Sequence, residues 1–332
     1  MTLRLVEVDL PLRRPLRTAT GSARRRRTLL VGLDDGAVVG WGEAAPFPGT
    51  DAETVDDLWR AFLSGDELPP TGRAALEAAR LDARARRTGT GVGNLLGCSG
   101  PPAVPSMAIP AGPAPDVLAA VDGAVASGCG AVKLKWARGA DPGVIRDVVD
   151  RHRGLTVGVD ANGTLADVSS AVAIETAGAA YLEQPFAAHD LEAHRRLRHR
   201  LSDLEVVVDE SVRSADDARR VIDAGACDRI CLKPGRLGPG AVMRIAAAAS
   251  DGGIGIKIGG MFDSAVGRAW AAILAGHPAS RFDDVAPAGA YFTADVGTAA
   301  TPAGIRIDPD PGPLTVRSAE IDDALHRDTV DP

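Results

Sequence analysis

The sequence predicts an eight-stranded (β/α)8 TIM-type barrel preceded by an α+β capping unit. Three observations lead there. From residue 104 onward, short apolar runs alternate with helix-length amphipathic segments and count out eight strand–helix units. Five successive runs end on or beside a charged residue: Lys135, Asp160, Glu183, Asp209 and Lys233, at gaps of 25, 23, 26 and 24 residues. Before residue 96 the rhythm is different, with alternating strands and a hairpin signal followed by helices. Parallel strands joined by right-handed helical crossovers close on themselves when eight are present. Residues recurring once per unit at one phase then share the C-terminal rim, where such barrels carry their chemistry.

In chain order, residues 3–10 and 27–33 alternate as strands, and Asp34-Asp35-Gly36 is a hairpin turn before 37–41. Gly40 to Gly49 reads as a Gly/Pro-rich loop closing that meander. The pattern from 51 to 87 is helical, with Thr50 or Asp51 as the cap. Loop 96–103 marks a boundary. The barrel strands are then expected at 104–109, 131–136, 155–159, 180–183, 205–208, 228–232, 254–258 and 281–285, with helices between them. Residues 314–317 read as a strand that returns to the N-terminal unit. The expected division is a capping domain over 1–97, the barrel over 98–300 and a returning segment over 301–332.

Composition narrows the function. The 332 residues are 45% hydrophobic and 24% charged, as in a soluble globular protein. A net charge of −7 offers no basic face for nucleic acid. The one basic run, Arg24-Arg25-Arg26-Arg27, reads as a solvated loop edge. No stretch is long and apolar enough for a membrane span, and the start lacks a signal-peptide core, so the cytoplasm is the expected location. Cys98, Cys129, Cys227 and Cys231 form no metal-ligand spacing and read as small buried hydrophobes. His194 and His199, in an Arg-rich helix, read as surface residues.

Lysine usage is more pointed. Of 37 basic residues only Lys133, Lys135, Lys233 and Lys257 are lysine, and all four fall in or beside strand-like runs. Arginine cannot lose its proton in a protein, whereas a desolvated lysine can work as an acid or base. Lys133 and Lys135, two apart on a strand, share a face and need anions close by. Asp160, Glu183 and Asp209 come from successive strands. Three converging carboxylates need a counter-charge, and a hard divalent cation, Mg2+, suits an all-oxygen set. Lys135 and Lys233 come from strands on either side of that set. A carboxylate bound to such a cation has its α-proton acidified, and a neighbouring lysine with a depressed pKa can remove it.

The order Lys-x-Lys, Asp-x-Asn, Glu-Gln-Pro, Asp-Glu-Ser, Lys-Pro-Gly and Gly-Gly-Met, together with Gly40-Trp41-Gly42-Glu43-Ala44-Ala45-Pro46, resembles the enolase superfamily, in its muconate-lactonizing subgroup. The resemblance implies Mg2+ on Asp160, Glu183 and Asp209, and Lys135 as acid/base with Lys133 assisting electrostatically. It implies Lys233 as the base on the opposite face or as a cation stabilising the intermediate. Asn162 and Glu210 would support the ligands, and Gly259 and Gly260 would border the substrate. The mandelate racemase subgroup, which uses a His base on the seventh strand, fits poorly, since that strand here reads Ile256-Lys257-Ile258-Gly259; Lys257 departs from the pattern and reads as an interior lysine with a carboxylate partner. Gly42 to Gly49 looks most like the o-succinylbenzoate synthases, which implies dehydration of a cyclohexadiene carboxylate for menaquinone biosynthesis. Gly259 to Ser264 also resembles the N-succinylamino acid racemases. From other classes, a metal-free Schiff-base lysine barrel and a non-catalytic binding barrel leave the phased carboxylates unexplained. The expected partner is a small-molecule carboxylate, its contacts drawn from capping loops that include Arg17, Arg24 and Phe47.

Overall fold

The computed structural model describes residues 1–18, 21–297, 299–301, 304–306 and 309–326. The N-terminal alternation builds an antiparallel sheet from β1 (Thr2–Thr18), β2 (Gly21–Asp34) and β3 (Val39–Ala44). β11 (Thr315–Asp322), the returning strand, pairs with β1 and completes the order β11-β1-β2-β3. β1 and β2 run farther than the apolar alternation suggested, with a register shift between Pro11 and Leu16. The arginine run therefore lies within β2 and is not a loop edge. Arg24, Arg25 and Arg27 are exposed, but Arg26 is only 3% exposed.

Gly40 and Gly42 belong to β3 and not to the loop after it. Two apart, they share a face, and that face receives α2 (Pro70–Thr88). A Cβ on Gly40 would lie 2.1 Å from Ala83 N, and one on Gly42 would lie 2.0 Å from Ala75 O. Glycine is what lets helix and strand meet backbone to backbone. The helical stretch splits in two because Gly65, at φ 75°, ends α1 (Val55–Ser64). Thr54 caps α1 in a capping box with Asp57, so neither Thr50 nor Asp51 is the cap. Leu58, Phe62 and Leu76 of these helices bury against Leu3, Leu5, Leu29 and Val31 of the sheet, each contributing about 2 kcal/mol.

After α3 (Val92–Leu95) comes the parallel sheet: β4 (Ser106–Ile109), β5 (Ala131–Lys135), β6 (Thr156–Asp160), β7 (Tyr181–Glu183), β8 (Glu205–Val208), β9 (Arg229–Leu232) and β10 (Gly255–Ile258), in unbroken spatial order. Helices α4 (Ala114–Ala126), α5 (Gly143–Arg151), α6 (Val168–Thr176), α7 (Leu191–Arg200), α8 (Ala215–Ala224), α9 (Pro234–Leu237), α10 (Pro239–Asp251) and α11 (Ala265–Ala275) make the connections. Asp167, Asp190, Ser214 and Ser264 cap four of them with side-chain oxygens. One face of each strand packs under the helices in a single core that includes Val132, Val159, Leu182, Val208, Leu232 and Ile256. The alternate residues face the concave side, and there Tyr181, Val207 and Cys231 form a separate cluster.

The expected eighth strand is not formed as a strand. Ser280 makes an isolated parallel bridge to Ile256. The N–H groups of Arg281 and Asp284 donate to Ile256 O and Ile258 O, and Ser106 N–H donates to Val285 O. Phe282 breaks the run at φ 65° and stacks on Tyr181 at 4.7 Å between centroids. Asp283 accepts from Ile258 N–H. The architecture is a curled seven-stranded parallel sheet with a separate antiparallel cap. Among the described residues no helix is long and apolar enough to cross a membrane.

Candidate active site

The lysines expected at the rim lie on the concave side of the curled sheet, each against a carboxylate. Lys133 Nζ donates to Glu183 Oε1 and to Asp284 Oδ2, both at 2.7 Å, and lies 3.4 Å from Asp160 Oδ2. Lys135 Nζ donates to Asp160 Oδ2 at 2.6 Å and to Asn162 Oδ1 at 2.9 Å. Lys233 Nζ lies 2.8 Å from Asp209 Oδ2. Lys257 is fully buried, as expected of an interior lysine, with Nζ 2.5 Å from Asp284 Oδ2 and 3.1 Å from Glu183 Oε2. Beneath it, Gly158 leaves room for the Tyr181 ring, whose Cζ a Cβ would approach to 2.0 Å.

Neighbours outweigh burial in this cluster. Burial pulls the Lys133 ammonium down, but Asp284, Glu183 and Asp160 hold it well above the lysine range. Burial lowers Lys233 too, and Asp209 reverses that. For Lys233 the direction is opposite to the depressed pKa expected of a lysine beside a bound cation. Glu183 is pushed up by burial but held well below the carboxylate range by Lys133, Lys257 and Lys233.

The supporting residues are linked in sequence. Asn162 adopts a left-handed φ of 43°, donates its N–H to Asp160 Oδ1 at 3.1 Å, and donates from Nδ2 to Glu210 Oε1 at 2.8 Å. Burial and then Asp209 raise the Glu210 carboxyl. Gly259 does not border the cavity; a Cβ there would lie 2.6 Å from Cys231 Sγ and 3.6 Å from Lys233 Cδ, so glycine leaves Lys233 its path. Gly260 does border it.

His194 is not a surface residue. It is fully buried on α7, and Nδ1–H donates to Asp190 O at 2.7 Å. Burial lowers its pKa, so neutral Nε2 can accept from Gln184 Nε2 at 3.3 Å. Gln184 Oε1 in turn accepts from Asp209 N–H at 2.8 Å. The imidazole thus braces the backbone of a rim carboxylate.

These groups floor a cavity of about 190 Å³ bordered by Lys133, Lys135, Asp160, Asp209 and Lys233. Phe47 and Thr50 reach it from the cap, and Met261, Phe262 and Tyr291 wall one side. Arg24 is exposed and does not border it, and the side chain of Arg17 lies outside the described residues. Sequence reasoning missed Asp284, Tyr291, Arg236 and Asp51. Arg236 borders the cavity and donates from Nε to Asp51 Oδ1 at 2.7 Å. Asp284 could have been found by extending the spacing, since it falls 27 residues after Lys257.

Two donor sets compete for a cation. Among the described residues, ligand atoms within 4.8 Å of one another come from Glu183, Cys231 and Asp284, and Asp160, Glu183 and Asp209 do not form such a group. The first set already encloses the Lys257 ammonium. Its Cys231 thiol is held far up by burial and so is a poor ligand. The second set is all oxygen, with Asp160 and Asp209 open to the cavity, and its chemistry suits a hard cation such as Mg2+.

Residues 116–307 match the family described as "Enolase C-terminal domain-like", and the chain belongs to the enolase superfamily. It is 33% identical over 294 residues to an o-succinylbenzoate synthase of Geobacillus kaustophilus, covering 80% of this chain and 78% of that protein. It is 30% identical over 320 residues to an N-succinylamino acid racemase of Thermus thermophilus, covering 87% and 86%. A crystallised enolase-superfamily member from Listeria innocua, 22% identical, superposes with a TM-score of 0.82 over 96% of this chain and 98% of that one, which speaks for the fold.

Proposed function

We propose that the chain is a Mg2+-dependent o-succinylbenzoate synthase, converting 2-succinyl-6-hydroxy-2,4-cyclohexadiene-1-carboxylate to o-succinylbenzoate and water in menaquinone biosynthesis. The observation that carries the reading is that Lys135 and Lys233 open on one cavity from either side of the strands bearing Asp160, Glu183 and Asp209. In this reading Asp160, Glu183 and Asp209 hold the ion. When bound, Mg2+ polarises the substrate carboxylate and lowers the pKa of its α-proton. Lys135 takes that proton from the α-carbon. Its side chain is the most exposed of the four lysines, 38% against 16, 7 and 0%, so it has the freedom to move. The hydroxyl leaves from the β-carbon with the proton Lys135 returns, as water, and the ring becomes aromatic. Lys233, across the cavity, balances the charge that develops on the carboxylate, while Lys133 helps keep Glu183 ionised. Asn162 and Glu210 fix Asp160 and Lys135. The proposal includes the division into a cap (1–97), a catalytic unit (98–300) and a returning segment (301–332), with 280–285 closing the sheet into a barrel through its hydrogen bonds to β10 and β4.

A second reading, N-succinylamino acid racemase, is favoured by the two lysines on one cavity, since racemisation needs a base on each face of the α-carbon, and by the Thermus thermophilus relative. Proton NMR in D2O with Mg2+ separates the two. Aromatisation of the cyclohexadiene substrate without α-exchange in an N-succinyl amino acid supports the synthase, and exchange in the latter supports the racemase. Turnover that survives chelation by EDTA would contradict both and point to a Schiff-base lysine.

A further inference from the structure

Arg26 is the one member of the arginine run that points inward, and nothing in the chemistry above uses it. Its guanidinium lies where the cap meets the parallel sheet. It donates from Nη1 to Pro46 O at 2.6 Å and from Nη2 to Ala45 O at 2.7 Å and Met261 O at 3.3 Å. All three bonds go to backbone carbonyls, and Nε–H has no partner among the described residues. A buried guanidinium held by carbonyls is costly. Its planar fork of five donors can also hold three carbonyls in fixed relation, which a freely rotating ammonium does less well.

Those carbonyls belong to two loops that share no strand. Pro46 precedes Phe47, and Met261 precedes Phe262. Both rings border the substrate cavity, 6.2 Å apart between centroids, with Arg26 Cζ 5.6 Å from the Phe47 ring. Phe262 sits at φ 57°, a left-handed conformation that a bulky residue keeps only when its surroundings enforce it. The same junction is braced by Glu43 of β3, which accepts from Ser264 N–H at 3.0 Å, Ser264 Oγ at 2.6 Å and Gly267 N–H at 2.7 Å.

We propose that Arg26 is a positioning residue that clasps the cap loop at Ala45–Pro46 to the loop at Met261, so that Phe47 and Phe262 together form one preset aromatic wall for the substrate. The proposal rests on the carboxylate-lyase reading for its kinetic arm and on the geometry alone for its structural arm. The clasp acts on the part of the substrate remote from the reacting carbon, so it governs binding and not the proton transfer.

The test uses Arg26→Lys, which keeps the charge and loses the fork, and Arg26→Gln as a second variant should the first fold poorly. Hydrogen exchange is read at the amides of Phe47, Thr50 and Asp51, which are bonded within the cap loop, and of Met261, which donates to Asp263 Oδ2. Exchange is expected to quicken in both loops at once, by about tenfold or more, with Lys133 and Glu183 amides and Mg2+ affinity unchanged. With the cyclohexadiene substrate, KM rises about tenfold while kcat changes less than about threefold. Loosening confined to one loop, a kcat loss without a KM change, or a parallel loss of Mg2+ affinity would overturn the clasp. If the unmodified chain turns over no carboxylate, the functional reading fails, and the exchange result alone still decides for or against the clasp.

Discussion

The parallel sheet and the cap hold positive charge in opposite ways. On the concave side of the sheet the cations are lysines, Lys133 and Lys257 buried, Lys233 largely so and Lys135 part-exposed, each ammonium a point charge against one to three carboxylates. On the cap they are arginines, spread as forks over the outside. Arg27 donates to Glu7 Oε1 at 2.6 Å and to both oxygens of Asp56 at 3.0 Å, and Arg317 joins the same pair of carboxylates. A point charge can give up its partner to a metal or a substrate and can give up its proton; a fork does neither. In the proposed reading the cavity-lining lysine pairs are therefore working groups, and the arginine pairs are fasteners. Arg26 is the instructive exception: a fastener carried into the interior, where burial lowers its pKa and Asp263 and Glu43 only partly restore it.

Exchanging one kind of cation for the other tests this division. The largest effect is expected from Lys135→Arg. The ion pair to Asp160 survives, but the group can no longer take a proton, so turnover falls by about 10³-fold or more with an unchanged circular dichroism spectrum. Retained turnover would make Lys135 a fastener as well. Lys257→Met comes next. It strips Glu183 and Asp284 of a fully buried partner, and unfolding by denaturant should show a loss of about 3 kcal/mol. An unchanged midpoint would mean that Lys257 contributes nothing to the interior charge balance.

A smaller effect sharpens the picture of the brace behind Asp209. His194 is neutral in the folded chain with a lowered pKa, so its contribution is complete above its unfolded value of about 6.5 and is lost as pH falls toward the folded value. The melting temperature should therefore drop on going from pH ~7 to pH ~5, and His194→Gln should drop by a few degrees less. Equal drops would assign the acid sensitivity to other groups. The smallest effect belongs to Arg27→Lys on the exposed cap face, where stability should change by less than about 1 kcal/mol. A larger loss would show that the arginine network of the cap is worth more than separate surface pairs.

The rim was legible in the sequence because one residue per strand–helix unit, at constant phase, must land on one edge of a parallel sheet. That places Lys135, Asp160, Glu183, Asp209 and Lys233 at or just past the ends of their strands. What stayed hidden depends on contacts between distant segments. The run Arg24–Arg27 gives no sign that its third member turns inward, because burial there is decided by carbonyls at 45, 46 and 261. Asp51 looks like a helix cap and instead pairs with Arg236. His194 sits among arginines, and only the packing of α7 on Phe186 and Gln184 reveals its burial. The last run, 281–285, has the apolar and charged pattern of a strand end, but the positive φ of Phe282 prevents a regular ladder.

In the proposed reading Asp160, Glu183 and Asp209 exchange their lysines for a divalent cation. Anomalous diffraction from a crystal grown with Mn2+ in place of Mg2+ tests it most directly. One strong peak is expected within coordination distance of an oxygen of each of the three carboxylates, with Lys135 and Lys233 Nζ swung off Asp160 and Asp209. A peak among Glu183, Cys231 and Asp284, or none at saturating metal, would contradict it.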